Sequence, residues 1–220
     1  MHDFQVSGVK GAKGCFSFTA GHICPYKFIM HLLALVVAKG VNLQTTTPVT
    51  QVSSTAEADG RWIVTTARGA IRTKEVVFAS NAYTSGIAPQ YAHKIVPARG
   101  ICSRIVIPEG RPSPHLTNTY AIRNGSGLFD YLIPRTDGSL VVGGARHKFV
   151  ADPKHWYDNT DDSKLIEPAK DYFDGYMQRT FTGWEDSGAY TDKVWTGSSY
   201  SPPSASSGDS DRMFACSGTC

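Results

Sequence analysis

The stretch between residues 94 and 145 constrains the fold most, because it combines long strand patterns with turn residues. Strand character is found in four segments, residues 94–108, 119–123, 128–134 and 139–145. Pro-Glu-Gly, Asn-Gly and Thr-Asp-Gly lie between them, and these are residue types that turns require. Long strands of alternating character, joined in this way, predict an antiparallel sheet with one face open to solvent or to a ligand.

The preceding part of the chain predicts one helix among extended segments. Pro25 suits the first helical turn, a wide apolar face follows it, and Gly40 can take the left-handed conformation that ends a helix. Strands are predicted at residues 15–19, 41–45, 49–54, 61–67 and 70–72. The helix between extended segments is βαβ-like, and the short strands that follow form an antiparallel insertion. The predicted fold class therefore has both α/β and α+β character.

Residues 74–84, KEVVFASNAYT, are typical of a strand that ends beside a nucleotide. The apolar run from Val76 to Ala79 predicts a buried strand, and the small residues after it form a turn that a ligand can approach. Strand ends of this kind line nucleotide sites in α/β folds. The chain contains neither GxGxxG nor GxxxxGK[ST], so the sequence indicates one wall of such a site without a phosphate loop.

The last third of the chain predicts a helix, a strand and a tail. Helical periodicity runs through residues 163–179, with Thr160-Asp161-Asp162 as a cap and Pro168 separating a short first piece. Residues 192–197 predict a final strand. Beyond Gly197 the composition becomes rich in serine and proline without any periodicity, which predicts disorder.

Composition excludes several classes of protein. The chain of 220 residues is 41% hydrophobic and 19% charged, which is typical of a globular domain, and its net charge of +3 is scattered. No nucleic-acid partner and no membrane association are therefore expected. The longest apolar run, residues 28–38, is too short to span a bilayer. Five cysteines form no paired framework, which favours a reducing compartment, the cytoplasm by default.

Motifs for metal binding and for hydrolytic catalysis are missing. Cys15, His22 and Cys24 are close in sequence but lack a zinc-ribbon partner, so ordinary thiols are favoured over a metal site. The chain has no GxSxG and no HExxH, and its seven histidines are spread singly. Arg146 and His147 fit the charged edge of a strand better than a catalytic pair. No catalytic residue can be assigned from the sequence.

Five motifs in order carry a resemblance to a known family. They are the helix from Pro25 to Gly40, VNLQTTTPVTQV, EVVFASNAYT, IVPARGICSRI and DYLIPRTDGSLVVGGARH. Over residues 16–197 the chain resembles the FAD-dependent amine and amino-acid oxidases of the D-amino-acid oxidase superfamily. It is most similar to fungal relatives of the sarcosine and glycine oxidases. The order and spacing of the motifs make the resemblance specific, although each motif alone is weak.

The resemblance implies a set of FAD-binding residues. Val49 takes the position whose backbone bonds the adenine edge of FAD in the family. Ala79, Ser80, Asn81 and Ala82 take the place of a small-residue turn that packs against the adenosine and pyrophosphate. Asn81 replaces a glycine there, and asparagine also accepts left-handed backbone angles.

The resemblance also implies that the antiparallel sheet binds a small-molecule amine or amino-acid substrate over the flavin ring. The candidate residues for shaping this pocket or holding a carboxylate are Tyr120, Arg123, Tyr131 and Arg146. An arginine would act as a bidentate clamp. For Tyr131, a role as a core aromatic residue on an alternating strand is an equally good interpretation. The flavin carries the hydride chemistry in such enzymes, so the lack of an obvious acid–base pair is expected.

The implied organisation is a partial Rossmann-like FAD-binding domain followed by a substrate-binding domain. The expected divisions are an irregular N-terminus (1–14), the partial FAD-binding domain (15–92), the sheet domain with flanking helices (93–185), a strand that returns to the FAD domain (186–197) and a disordered or aberrant tail (198–220). The family's GxGxxG segment and its C-terminal flavin-closing segment have no counterpart. The chain is therefore expected to be a central fragment.

Two functions from different classes follow as hypotheses. The first is an FAD-dependent oxidoreductase that moves a hydride from a C–N centre to the flavin. The second is a catalytically inactive folded remnant that acts at most as a binding module. A free-standing nucleotide-binding module is the weakest possibility, because no phosphate loop occurs in the sequence. The sequence defines neither the exact substrate nor the oligomeric state.

Overall fold

The computed structural model describes residues 7–124 and 128–201. Strands and helices alternate irregularly along this part of the chain. The strands are β1 (Val49–Val52), β2 (Trp62–Thr66), β3 (Gly69–Thr73), β4 (Val96–Val106), β5 (Tyr120–Arg123), β6 (Phe129–Pro134), β7 (Leu140–Gly143) and β8 (Tyr190–Ser201). The α-helices are α1 (Pro25–Ala38), α2 (Thr84–Ile87) and α3 (Tyr176–Thr180), and short 3₁₀ turns include Asn81–Tyr83, Arg146–Lys148 and Glu167–Ala169.

The larger sheet is antiparallel with the strand order β5-β6-β7-β4-β8. All four strands predicted between residues 94 and 145 are present, each within two residues of its predicted ends. The prediction succeeded because the alternating character of the segments and the turn residues between them indicate the same strand ends. Gly110 and Gly138 both have positive φ in these turns. The mixed fold class is confirmed.

One face of this sheet carries the hydrophobic core. Leu132, Val142 and Ile101 are almost fully buried on it. A layer of short helices and turns packs against these residues. The core cluster consists of Ile101, Ile105, Leu132, Leu140, Val142, Ala145, Phe149, Ile166, Ala169, Phe173, Tyr176, Met177, Phe181, Trp184 and Ala189. Because side chains alternate along a strand, Tyr131, Gly143 and Cys102 belong to the opposite face.

The smaller sheet is a meander of β1, β2 and β3. Its pairs are antiparallel, and the register between β1 and β2 shifts between Val49 and Gln51. The turn before β2 is held by Arg72, which forms ion pairs with Glu57 at 2.6 Å and with Asp59 at 3.0 Å. This arrangement confirms the predicted antiparallel insertion.

Helix α1 begins and ends as predicted. Pro25 opens it, and Gly40 at φ +93° follows its C-cap residue Lys39. None of its residues is buried, however, and apolar side chains such as Ile29 and Leu35 are nearly half exposed. The described part of the chain therefore leaves the wide apolar face of α1 uncovered.

Three predicted strands are wrong. Residues 15–19, 41–45 and 76–79 are extended or irregular, and no strand of the described residues pairs with them. Val77 is 87% exposed, so the interpretation of 76–79 as a buried strand is also wrong. An apolar run becomes a buried strand only when a neighbouring strand supplies hydrogen bonds, which the local sequence cannot reveal.

The predicted helix over residues 163–179 is largely wrong as well. Only Glu167–Ala169, as a 3₁₀ turn, and α3 are helical, and the Asp161 side chain accepts a hydrogen bond from the Ser163 amide in a turn. Pro168 lacks an N–H, and Gly175 at φ +65° interrupts the helical backbone. Buried residues still recur at helical spacing, from Ile166 to Tyr176, because successive turns present them to the core.

Strand β8 is longer than predicted. It pairs with β4 from Tyr190–Val106 to Ser201–Val96, so residues 198–201 extend a strand that was predicted only for 192–197. The remainder of the predicted tail, including Cys216 and Cys220, lies outside the described residues. Among the helices described, none is long and apolar enough to cross a membrane.

Candidate functional site

A row of uncharged side chains crosses the face of the larger sheet that is turned away from the core. The register places Ala121 beside Tyr131, Tyr131 beside Gly143, Gly143 beside Cys102 and Cys102 beside Trp195. We call these five residues the central row. They come from five neighbouring strands, so the row spans the full width of the sheet.

The Tyr131 side chain lies across the sheet instead of projecting from it. A Cβ atom at Gly143 would come within 2.3 Å of both Cζ and the hydroxyl oxygen of Tyr131. The hydroxyl then reaches Cys102 on the next strand, where it shares a hydrogen bond of 3.0 Å with Sγ. The observed position of the ring therefore requires glycine at residue 143. Cys102, which the tyrosine hydroxyl contacts, is only 1% exposed.

The two sides of the central row differ. On one side Arg104 forms ion pairs with Asp192 at 3.2 Å and with Asp137 at 3.6 Å. A hydrogen bond from the Ser139 hydroxyl, assisted by nearby arginines, holds the pKa of Asp137 below its usual value. On the other side Gly100 pairs with Gly197, so the face carries no side chain there. On this face Arg104 and Lys193, which pair across β4 and β8, lie on one side of the central row, and Arg123 lies on the other side at the end of β5.

The four substrate residues predicted from the sequence do not lie together. Tyr131 and Arg123 belong to the same sheet face by alternation, with Arg123 at the exposed end of β5. Tyr120 belongs to the core face, where its ring packs edge-on against Phe181 at 5.2 Å between centroids. Burial raises the pKa of Tyr120. Arg146 follows β7 in a separate turn.

The turn that carries Arg146 is held by a buried carboxylate. Gly144 and Ala145 both have positive φ, and Asp130 Oδ1 accepts a 2.8 Å hydrogen bond from the Ala145 amide. The Arg146 guanidinium lies 4.6 Å from the centre of the Trp156 ring. Burial lowers the pKa of Arg146, although arginine stays charged at any physiological pH. The geometry fixes Arg146 beside an aromatic ring at the border of the core.

Asp130 is the most connected polar residue here, and the sequence reasoning did not identify it. It is 1% exposed, and its Oδ2 accepts hydrogen bonds from Asn124 Nδ2 at 2.8 Å, the Tyr172 hydroxyl at 2.6 Å and the Tyr176 hydroxyl at 3.2 Å. Burial, with the adjacent Asp130 carboxylate, raises the pKa of Tyr172 and of Tyr176. A charged residue at a core position of the strand FDYLIP is the signal that could have revealed it.

The predicted FAD-binding residues occupy β1 and the turn before α2. Val49 is the first residue of β1, and β1 contacts α2. Ala79 is exposed, Ala82 is buried, and Asn81 has φ +47°, the left-handed conformation expected from the sequence. The Thr84 hydroxyl donates a 2.8 Å hydrogen bond to the Asn81 carbonyl, which stabilises the turn.

This turn also connects the FAD-site candidates to the larger sheet. The Asn81–Tyr83 segment contacts β4 and β8, and the Tyr83 hydroxyl donates a 3.2 Å hydrogen bond to Asp162. Burial raises the pKa of Tyr83, with Asp162 adding to the effect. Ala79 is thus small and exposed, and Asn81 beside it takes the left-handed conformation. Among the described residues no group of acidic, histidine and cysteine side chains could hold a metal ion.

Comparison with known proteins identifies the family of this chain. The sequence profile of the family described as FAD dependent oxidoreductase matches residues 3–218. Gamma-glutamylputrescine oxidoreductase of Escherichia coli (strain K12) is 26% identical over 185 residues, which is 81% of this chain and 38% of that protein.

Two solved structures share the fold. Glycine oxidase from Geobacillus kaustophilus aligns with a TM-score of 0.58 and 18% identity. The alignment covers 79% of this chain and 41% of the glycine oxidase chain. NikD, an unusual amino acid oxidase of nikkomycin biosynthesis, aligns with a TM-score of 0.56 and 16% identity, covering 84% and 45%. The chain thus spans about two fifths of the length of these relatives. With the family match extending over nearly all of its residues, the chain belongs to the family of FAD-dependent oxidoreductases.

Proposed function

We propose that this chain takes part in the FAD-dependent oxidation of a small amine or amino acid at a C–N centre. FAD, when bound, supplies the acceptor for the hydride. Loss of a hydride from carbon and of a proton from nitrogen would convert the amine to an imine, which water hydrolyses. The names of the relatives support an amine or amino-acid substrate, because they include a gamma-glutamylputrescine oxidoreductase, a glycine oxidase and an amino acid oxidase.

On the cofactor side, Val49 and the turn from Ala79 to Ala82 would hold the adenosine part of FAD. A peptide unit at Val49 offers a donor beside an acceptor, which matches the edge of an adenine ring. The left-handed Asn81 and the exposed methyl group of Ala79 would let the backbone approach the cofactor closely.

On the substrate side, Tyr131 and Arg123 would contact the substrate from the open sheet face. Arg146 is the second candidate for holding a carboxylate, through the fork of its guanidinium. Tyr120, on the core face, would shape the site from behind the sheet through its contact with Phe181. None of these side chains is assigned a proton-transfer role, because the flavin carries the redox chemistry.

The observation that carries this proposal is the contact of the Asn81–Tyr83 turn with β4 and β8. It makes the predicted adenosine wall and the larger sheet neighbours in one structure. A cofactor held at the turn could therefore extend toward this sheet. Among the described residues, Cys15, Cys24 and Cys102 form no disulfide, which favours the cytoplasm as the location of the protein.

A second candidate is that the chain alone holds no FAD and acts at most as a binding module. The uncovered apolar face of α1 supports this alternative. The unpaired segment 76–79 supports it as well, since a cofactor wall needs backbone that is fixed in position. Both features belong to the part of the chain that would hold FAD.

Purified protein tests the proposal directly. The chain is incubated with FAD, freed of unbound cofactor and examined by visible absorbance, and FAD release is then measured after denaturation. We expect flavin bands that an amine substrate bleaches under anaerobic conditions. Colourless protein would contradict FAD binding and favour the second candidate, whereas yellow protein that no amine or amino acid bleaches would contradict the proposed reaction alone.

A further inference from the structure

The central row is an aromatic, charge-free surface on a face that otherwise carries charge only at its margins. Two of its five members, Tyr131 and Trp195, are aromatic, and the other three, Ala121, Gly143 and Cys102, are small. On the same face, Arg104 with its two carboxylate partners and Lys193 lie on one side of the row, and Arg123 lies on the other side at the end of β5. A ligand on the centre of this face would meet aromatic and small apolar groups.

The position of the Tyr131 ring makes this surface flat. Because Gly143 has no side chain, the ring passes over β7, and the hydrogen bond to Cys102 Sγ holds its hydroxyl over β4. An upright tyrosine would instead divide the face. Beside the row, Gly100 pairs with Gly197, so no side chain projects from β4 or β8 at this position. A planar group could therefore lie parallel to the sheet here.

The absence of charge in the row determines which groups it would accept. Burying a charged group without a partner is unfavourable, whereas burying apolar area is favourable. Aromatic rings prefer offset stacking on other rings. A planar, uncharged substituent would gain from contact with Tyr131 and Trp195. A second charge on the same substituent would have no partner within the row.

We propose that the central row is a specificity-determining surface for a planar, uncharged substituent of the amine substrate, with Gly143 and Cys102 as positioning residues for Tyr131. This rests on the proposed function for the reacting amine, but the surface itself exists without FAD. The substrate class is thereby narrowed to amines or amino acids whose side chain is aromatic or otherwise flat and apolar.

The position of Tyr131 is tested by the reactivity of Cys102 toward iodoacetamide, read by mass spectrometry of its peptide in the full chain. Cys15 and Cys24, which are half-buried, serve as internal controls. We expect Tyr131→Ala to raise the labelling rate of Cys102 by about tenfold or more, since local protection is lost, and Tyr131→Phe to change it little. Equal rates in Tyr131→Ala and the native chain would overturn the placement of the ring over Cys102.

Gly143→Ala provides the positional variant. The clash is with the far end of the tyrosine side chain, which can swing away, so the chain should fold and Cys102 should label as fast as in Tyr131→Ala. Slow labelling in a folded Gly143→Ala protein would contradict the role of Gly143. If this variant does not fold, the two Tyr131 variants decide the question.

Ligand preference is tested with three matched amines in the absence of FAD: benzylamine, 4-(aminomethyl)benzoate and p-xylylenediamine. We expect benzylamine to slow Cys102 labelling by about threefold or more at saturation, because a bound ligand stabilises the covered state. The analogues with a second charge should not slow it. Equal or better protection by either analogue, or none by benzylamine, would overturn the proposed surface. If the chain binds no FAD but benzylamine still slows the labelling of Cys102, the proposed oxidation is contradicted. The proposed binding surface is then still supported.

Discussion

At the scale of single residues, Asp130 shows how a buried charge is stabilised in this sheet. Four donors surround its carboxylate, from the Ala145 amide, Asn124, Tyr172 and Tyr176. We expect Asp130→Asn to lower the free energy of unfolding by about 2–3 kcal/mol, since donors to Oδ2 would face an NH₂ group. Urea denaturation measures the change. Asp137→Asn, at an exposed turn, is the control, and an equal loss there would contradict a special role for Asp130.

The adjacent residues Gly143 and Gly144 differ in how much a replacement by alanine should destabilise the protein. A Cβ atom at Gly144 would meet Asp130 Oδ1 at 2.5 Å and the Phe129 carbonyl oxygen at 2.8 Å, and its φ is +125°. We expect Gly144→Ala to destabilise the protein by about 2–4 kcal/mol through backbone strain and overpacking. Gly143→Ala should cost less, because only the Tyr131 ring must move. Thermal unfolding measures the loss of stability in each variant. A larger loss in Gly143→Ala than in Gly144→Ala would contradict the prediction.

Tyr172 and Tyr176 give the stability of the protein a dependence on alkaline pH. Burial and Asp130 raise their pKa values in the folded state above the ordinary 10.0. The folded state therefore keeps protons that the unfolded state releases, so stability is complete below pH 10 and decreases as the pH rises above it. Replacing both residues by phenylalanine should flatten this decrease in urea titrations between about pH 9 and 11. An unchanged slope would contradict the assignment.

At the scale of elements, strands β5 to β7 were predictable because their hydrogen-bonded neighbours are close in the chain, so alternation and turn residues together determine their pairing. The length and apolar character of β4 predicted a strand, but its partners β7 and β8 are distant in the chain and no local pattern indicates them. The wrongly predicted strand at 76–79 has the composition of a buried strand but no partner among the described residues. Strand formation there depends on distant chain, which local patterns do not contain.

The candidate site was predictable only in part, for a related reason. Small residues at 79–82 indicated a turn, and Asn81 takes the left-handed angle that its residue type allows. The sequence could not tell that Tyr120 and Tyr131 lie on opposite faces, because a shift of one residue in the register exchanges the faces. The Tyr131–Cys102 hydrogen bond joins residues 29 positions apart, beyond the reach of any local motif.

Helix α1 offers a test of how far the core extends. Leu35 on α1 is 47% exposed, whereas Leu132 on β6 is fully buried. We expect Leu132→Ala to lower the free energy of unfolding by about 2–5 kcal/mol and Leu35→Ala by less than about 1 kcal/mol. Chemical denaturation of the two variants compares them. A similar loss for Leu35→Ala would show that α1 packs in a core in solution.

At the scale of the whole molecule, the chain combines a well-packed sheet layer with a less covered N-terminal part. The core cluster lies entirely within residues 101–189, while the large exposed apolar side chains are concentrated between Phe16 and Leu43. We therefore expect amide exchange to be slowest in β4, β6 and β7 and fastest in α1 and the segments that flank it. Uniform protection across both parts, measured by mass spectrometry, would contradict this division.

The central claim is that the turn at residues 79–82 forms part of an FAD site, and an FAD titration tests it most directly. Binding is followed by quenching of flavin fluorescence in the native chain, in Ala79→Leu and in the control Ala92→Leu, both at exposed positions. We predict saturable quenching that Ala79→Leu weakens by about tenfold or more, because the larger side chain blocks close approach, while Ala92→Leu matches the native chain. Saturable binding that Ala79→Leu leaves unchanged, or no binding by the native chain, would contradict the claim.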